Sequence, residues 1–177
     1  MYFIGIIPPK NICEKIVLLQ RSAERNRLPD YVPPHITIVP PFSSDSVPVL
    51  PQSAMKILFD SEEFEIKIRG VESFGTHTVY LDVDSVCLLS FQTEFVESLV
   101  SEQFIERNHL GQKEFHPHIT IGQRRHGLSF KELSQLKIAG KNSDIIGQGF
   151  LVNSISILGK VNSKSYSIVN TIQLGSA

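Results

Sequence analysis

One tetrapeptide occurs twice in this chain, and that repetition constrains the fold more than any other feature. His35-Ile36-Thr37-Ile38 and His118-Ile119-Thr120-Ile121 stand 83 positions apart in 177 residues, close to half the length. With six His, six Thr and twenty Ile in the chain, chance supplies roughly 0.003 copies of the string, so two copies mark a duplicated unit.

The surrounding pattern repeats with it. Residues 2–7 are an apolar run bounded by prolines, which reads as a buried strand. Asn11 is placed to cap a helix with the stripe Ile12, Ile16, Leu19 and Ala23, ended by Pro29, Pro33 and Pro34. A short strand at 35–39 stops at Pro40 and Pro41, 53–60 suits a short helix, and 64–69 alternates like a half-exposed strand. In the second half, 79–83 reads as a strand, and Leu88, Phe91, Phe95 and Leu99 mark a helical face. The second short strand is 118–121. Ser129 and Glu132 have capping-box spacing ahead of a helix carrying Phe130, Leu133 and Leu136. Two long strands, 150–158 and 165–174, close the chain. Nine of ten prolines precede residue 52 and ten of eleven glycines follow residue 69, so the first-half loops are expected stiff and the second-half loops pliant.

Composition narrows the function. Apolar residues make up 41% and charged residues 20% of the 19.8 kDa chain, which excludes disorder, collagen and membrane spans. A chain this long buries a core that needs no disulfide or structural metal. The run at 3–7 is too short for a signal peptide or a transmembrane helix. A net charge of −1 argues against coating a long nucleic acid, so any nucleic-acid role involves a small site such as a terminus. Cys13 and Cys87 have no Cys-x-x-Cys spacing and read as reduced cytoplasmic thiols.

The repeated string carries chemistry. Residues two apart on a strand share a face, so His35 and Thr37 look one way while Ile36 and Ile38 look into a core. Two such strands about a pseudo-twofold aim two imidazoles and two hydroxyls at one point. Imidazoles titrate near 6.5 and can act as base and acid, with a bell-shaped pH profile around neutrality. Threonine hydroxyls donate to charged phosphate oxygens.

The motif surroundings, Pro34-His35-Ile36-Thr37-Ile38-Val39-Pro40-Pro41-Phe42 and Phe115-His116-Pro117-His118-Ile119-Thr120-Ile121-Gly122, resemble those of the two-histidine (2H) phosphoesterase superfamily. The branch they resemble is that of 2′-5′ RNA ligase-like proteins and RNA 2′,3′-cyclic phosphodiesterases, and the resemblance covers nearly the whole chain. It implies an α+β fold, bilobal, with duplicated strand-helix-strand units and antiparallel sheets around a central cleft. The chain would be a single domain of two pseudo-symmetric halves, about 1–75 and 76–177. The activity implied is metal-independent opening of 2′,3′-cyclic phosphates at RNA or nucleotide ends to 2′-phosphates, with the reverse 2′-5′ joining open to the same groups. His35 and His118 would be the acid and base, and Thr37 and Thr120 would hold the phosphate. In the family the first-motif histidine often protonates the leaving oxygen; the sequence leaves either order open. No cofactor, membrane or obligate protein partner is implied, and a cytoplasmic monomer is expected.

One position departs from the family pattern. Many relatives carry arginine two residues past the second Ile, where this chain has Gln123, followed by Arg124 and Arg125. One residue along a strand turns a side chain to the opposite face, so Arg124 replaces the clamp only if a loop bends it back.

Rival readings stand beside these. His116 and His118 with His35 could form a metal trio, which the lack of an accompanying Asp, Glu or Cys disfavours; His116 otherwise belongs on a pocket rim. Phe42, Phe115 and Tyr166 could stack a base or simply fill core and rim. His77, His109 and His126 carry no pattern and are expected on the surface. Arg107, Lys113, Arg124, Arg125 and Lys131 either guide a phosphate-bearing end or form a solvated face with Glu106 and Glu114. The alternative to catalysis is a binding module for a phosphorylated nucleotide or RNA end.

Overall fold

Eight antiparallel strands join into one sheet in the computed structural model, which describes residues 1–110, 115–160 and 165–175. The strands are β1 (Tyr2–Ile6), β2 (Ile36–Phe42), β3 (Phe64–Phe74), β4 (Thr78–Asp84), β5 (His118–Gln123), β6 (Gly149–Val152), β7 (Ser154–Lys160) and β8 (Tyr166–Gln173). The helices are α1 (Lys10–Arg21), α2 (Leu28–Tyr31), α3 (Gln52–Asp60), α4 (Leu88–Ser101) and α5 (Phe130–Lys141). The order across the sheet is β6-β3-β4-β5-β2-β1-β7-β8. The fold is therefore the expected α+β type, with the sheets of the two lobes continuous across β2 and β5. No helix among the described residues is long and apolar enough to cross a membrane.

Burial follows the period of two. On β3, Phe64, Ile66 and Ile68 are buried while Glu65, Lys67 and Arg69 are exposed. The isoleucines of the repeat, Ile36, Ile38, Ile119 and Ile121, are all 1% exposed or less. Each contributes about 1.5–3 kcal/mol of burial, which pins the histidine and threonine of each copy to the other face.

The sheet curls, for a reason the chain makes plain. β6 pairs β3 at one end, and β7 pairs β1 near the other, yet only Asn153 separates them. Neighbouring Cα atoms are about 3.8 Å apart, so the two ends of the sheet must approach each other in a half-barrel. The single long strand expected at 150–158 is thus two strands. The buried set slips from Phe150 and Val152 to Ile155 and Ile157 across the corner, which is where the period breaks.

Strands also cross between halves. β3 follows α3 in the first half but pairs β4, whereas β7 of the second half pairs β1. Helices follow suit: α1 packs on β5, and α4 on β2.

Three local expectations are corrected. α1 starts at Lys10 with Pro9 as N-cap and no side-chain cap, so Asn11 lies inside it. β2 runs through Pro40 and Pro41, because Ile4 pairs Val39 while Tyr2 pairs Phe42, and the prolines occupy the extra length of a bulge where no ladder donor is required. α5 does begin with a Ser129–Glu132 capping box, but Phe130 is 59% exposed, and only Leu133 and Leu136 face the core. Beside β2, a side chain on Gly5 would place its Cβ 2.8 Å from the Ile36 carbonyl oxygen; glycine there lets β1 lie against the first motif.

Candidate active site at the seam of β2 and β5

β2 and β5 meet at a single pair, Ile36 opposite Ile119. Antiparallel neighbours count in opposite directions, so His35 falls across from Thr120 and Thr37 across from His118. Facing residues on one side of such a pair lie about 4.5–5.5 Å apart at Cβ and diagonal ones about 7–8 Å. The two imidazoles take a diagonal, and the two hydroxyls the other. All four residues are half-buried and line one cavity of about 470 Å³. A second cavity of about 500 Å³, on the Phe74 and Phe115 side, shares Thr37 and His118 with the first.

Both rings are held by the same device. Nδ1–H of His35 donates to the Pro33 carbonyl at 2.8 Å, and Nδ1–H of His118 to the His116 carbonyl at 2.7 Å. A carbonyl only accepts, so Nδ1 carries the hydrogen in each neutral ring and Nε2 keeps its lone pair. In both copies the intervening residue is proline, Pro34 and Pro117. Its fixed φ holds the carbonyl two residues back in place beside the imidazole. Aromatic walls complete the orientation: Phe3 lies 4.8 Å from His35, and Phe74 and Tyr80 lie 4.9 and 5.1 Å from His118.

A buried polar clamp fixes β5 from behind. Gln20 Nε2 of α1 donates to the Thr120 carbonyl at 3.0 Å. Asn26 Nδ2 donates to the carbonyls of Gln20 and Ile121 at 3.0 and 2.8 Å, and its Oδ1 accepts from the Leu28 N–H at 3.2 Å.

Burial pulls the His35 imidazole down to about 4; the Pro33 carbonyl opposes that and the nearby His118 adds to it. His118 is also lowered, first by burial, with its bond to the His116 carbonyl and the Asp82 carboxylate pulling the other way. Both rings are therefore neutral at pH 7. The consequence for stability has a definite sign. Between pH 6.5 and 4 the unfolded chain takes up a proton on His35 that the fold refuses, so stability falls on acidification through that window. The loss at the acid end is on the order of 2–3 kcal/mol. Urea melts at pH 7 and 4.5 should show it, and His35→Gln should remove that share; an unchanged pH dependence in the variant would contradict the burial of the ring.

The remaining predicted residues divide. Tyr166 lines the first cavity, its ring 5.2 Å edge-on from Phe3, and Phe115 and His116 line the second. His116 Nε2 sits 3.3 Å from Asp82, and among the described residues no three His, Cys, Asp or Glu gather closely enough to hold a metal ion. Phe42 does not reach either cavity as a stacking surface: it is 6% exposed, packed on Tyr2 and Phe104 in the core. Arg124 lines neither cavity. A 3-10 turn over Arg124–His126 instead brings Arg125 back beside Gln123, whose Oε1 accepts from Arg125 Nε at 2.8 Å, and both line the first cavity. Arg107 is paired through both terminal guanidinium nitrogens to Glu97 at 2.8 and 2.6 Å, so its charge is spent there. Lys131 is exposed; Lys113, Glu114 and the side chain of His109 lie outside the described residues. His126, expected on the surface, lines the first cavity with its ring 5.1 Å from Tyr31. Sequence reasoning also missed Phe3, Tyr31, Phe74 and Lys160, which no local pattern singles out.

Comparison with known proteins assigns the chain to a family. The family model of the 2′-5′ RNA ligase superfamily matches residues 8–160, and the chain belongs to that family of two-histidine phosphoesterases. Its function is accordingly of phosphoesterase or ligase type. The fold is shared with Thermus thermophilus TT0787 at 13% identity and TM-score 0.64, over 98% of this chain and 97% of that one. It is shared with E. coli LigT complexed with 3′-AMP at 14% identity and TM-score 0.62, over 99% and 98%. LigT complexed with NADP+ gives 15% identity and TM-score 0.59, again over 99% and 98%. No curated protein matches the chain by sequence.

Proposed function

We propose that the protein is a metal-independent phosphodiesterase that opens 2′,3′-cyclic phosphates at RNA or nucleotide ends, leaving 2′-phosphates. The observation that carries this reading is the antiparallel crossing of the two repeats, with each histidine diagonal to the other and across from a threonine. That 3′-AMP and NADP+ are bound in structures of LigT supports a phosphate-bearing nucleotide as ligand.

The step is a hydrolysis. One Nε2 lone pair takes a proton from water as the water oxygen bonds to phosphorus. The P–O3′ bond breaks, and the other imidazole gives its proton to that oxygen. Proton transfers of this kind contribute typically 10²–10⁴-fold. The threonine hydroxyls and the cations Arg125 and Lys160, which line the same cavity, stabilise the growing charge on the non-bridging oxygens. Both rings are neutral without ligand, so the anionic phosphate raises one of them and draws in the proton that the acid needs. At the end of a turnover the rings have exchanged protonation states, and the same groups running backwards would join a 2′-5′ bond.

The test is phosphorus NMR of products from a panel of 2′,3′-cyclic nucleotides and short cyclic-ended RNAs in excess chelator. The expected product is the 2′-phosphate alone. The depressed imidazoles place the optimum of kcat/KM below pH 6.5, more acid than the repeat by itself suggests. Affinity without turnover would instead make the cleft a binding module, and activity restored only by zinc or manganese would transfer the chemistry to a metal.

A further inference from the structure

Outside the cleft, basic side chains gather on one surface. Arg25, His77, Arg124 and Arg125 line one open depression of about 560 Å³. Arg125 also lines the cavity of the histidines and threonines, so the depression adjoins the cleft.

The backbone forces the gathering. Gly127 has φ +100, a conformation that glycine adopts freely, and a Cβ there would stand 2.6 Å from the Arg25 carbonyl oxygen. The Arg27 N–H donates to the His126 carbonyl at 2.9 Å, and the Arg124 N–H to the His77 carbonyl at 2.9 Å. Three loops therefore converge, those after α1, after β3 and after β5, each contributing a basic residue.

The charges have little else to neutralise them. None of the lining residues is acidic. Glu132 stands 3.8 Å from Arg25 and already accepts from the Ser129 N–H at 2.7 Å in the cap of α5. Arg124 is exposed and has no acidic partner among the described residues. A surplus of guanidinium groups beside a phosphate site, in a chain of net charge −1, matches a short stretch of phosphate backbone, which Arg recognises with its planar fork.

We propose that this depression holds the backbone phosphates of a single RNA strand whose 3′ end lies in the cleft. On this inference, which rests on the phosphodiesterase reading, cyclic-ended oligonucleotides are preferred over cyclic mononucleotides. The test compares uridine 2′,3′-cyclic phosphate with a hexauridylate bearing the same end, on wild type, the Arg25→Ala/Arg124→Ala double variant and a Lys67→Ala control. The double variant should lose about three- to tenfold in kcat/KM on the hexamer at low salt, and its log–log salt dependence should flatten by about one unit. Its activity on the mononucleotide and both activities of the control should stay unchanged. Equal losses on both substrates, or none on the hexamer, would overturn the proposal. Anisotropy with a labelled 3′-phosphorylated hexamer gives an independent readout: lost affinity in the double variant supports the site even if wild type opens neither substrate, an outcome that would sink the phosphodiesterase reading alone. Displacement of that hexamer by hexaglutamate as readily as by unlabelled RNA would overturn it in favour of an acidic protein partner.

Discussion

Alanine at either His35 or His118 should lower turnover of a 2′,3′-cyclic nucleotide about a hundredfold or more, the usual scale for a lost acid or base. Each ring is oriented by its own carbonyl and aromatic wall, so removing one leaves the other in place but without its complement. The double variant should therefore be little worse than the worse single one, because the pair acts as a unit. Valine at Thr37 or Thr120 should cost less, since a neutral hydroxyl gives a weaker bond and other donors remain. Steady-state kinetics on the four single variants and the double histidine variant, with folding checked by circular dichroism, decide the matter. A well-folded single histidine variant with near-normal turnover would end the paired-histidine mechanism.

The second large effect lies in stability. Asn26 is fully buried and satisfies two carbonyls and one N–H, joining the loop after α1 to the strand that carries His118 and Thr120. Leucine fits the volume but leaves those three backbone groups without their partner. A cost of about 3 kcal/mol is expected, which lowers Tm by about 6–12 °C for a chain of this size. Calorimetry of Asn26→Leu measures it; a shift under about 2 °C would mean that the clamp contributes nothing beyond packing.

The candidate site was legible in the amino-acid sequence because it is local. Pro-His-Ile-Thr-Ile contains the proline that places the carbonyl, the imidazole, the core anchor and the hydroxyl, and it occurs twice. Helix faces such as Leu88, Phe91, Phe95 and Leu99 were legible for the same reason, and all four are buried. What stayed hidden depends on contacts between distant segments. The split at Asn153 needs the closure of the sheet, although the slipped period was visible. The return of Arg125 beside Gln123 needs the tight turn closed by Gly127. Of the two places open to Phe42 the bulge selects the core, while a turn carries His126 from its expected surface position to Tyr31.

The crossing of strands between halves has a consequence for synthesis. β1 takes its place between β2 and β7, with Tyr2 against Gly159 and Ile4 against Ile157. A ribosome must therefore make almost the whole chain before the first strand acquires its second neighbour. Until then β1 presents an unpaired hydrogen-bonding edge, the feature that invites joining to other chains. Such distant pairings close late, and proteins dominated by them fold in milliseconds to seconds, not microseconds. Neither half can finish its share of the sheet alone, so a fragment released midway would be a substrate for chaperones and proteases.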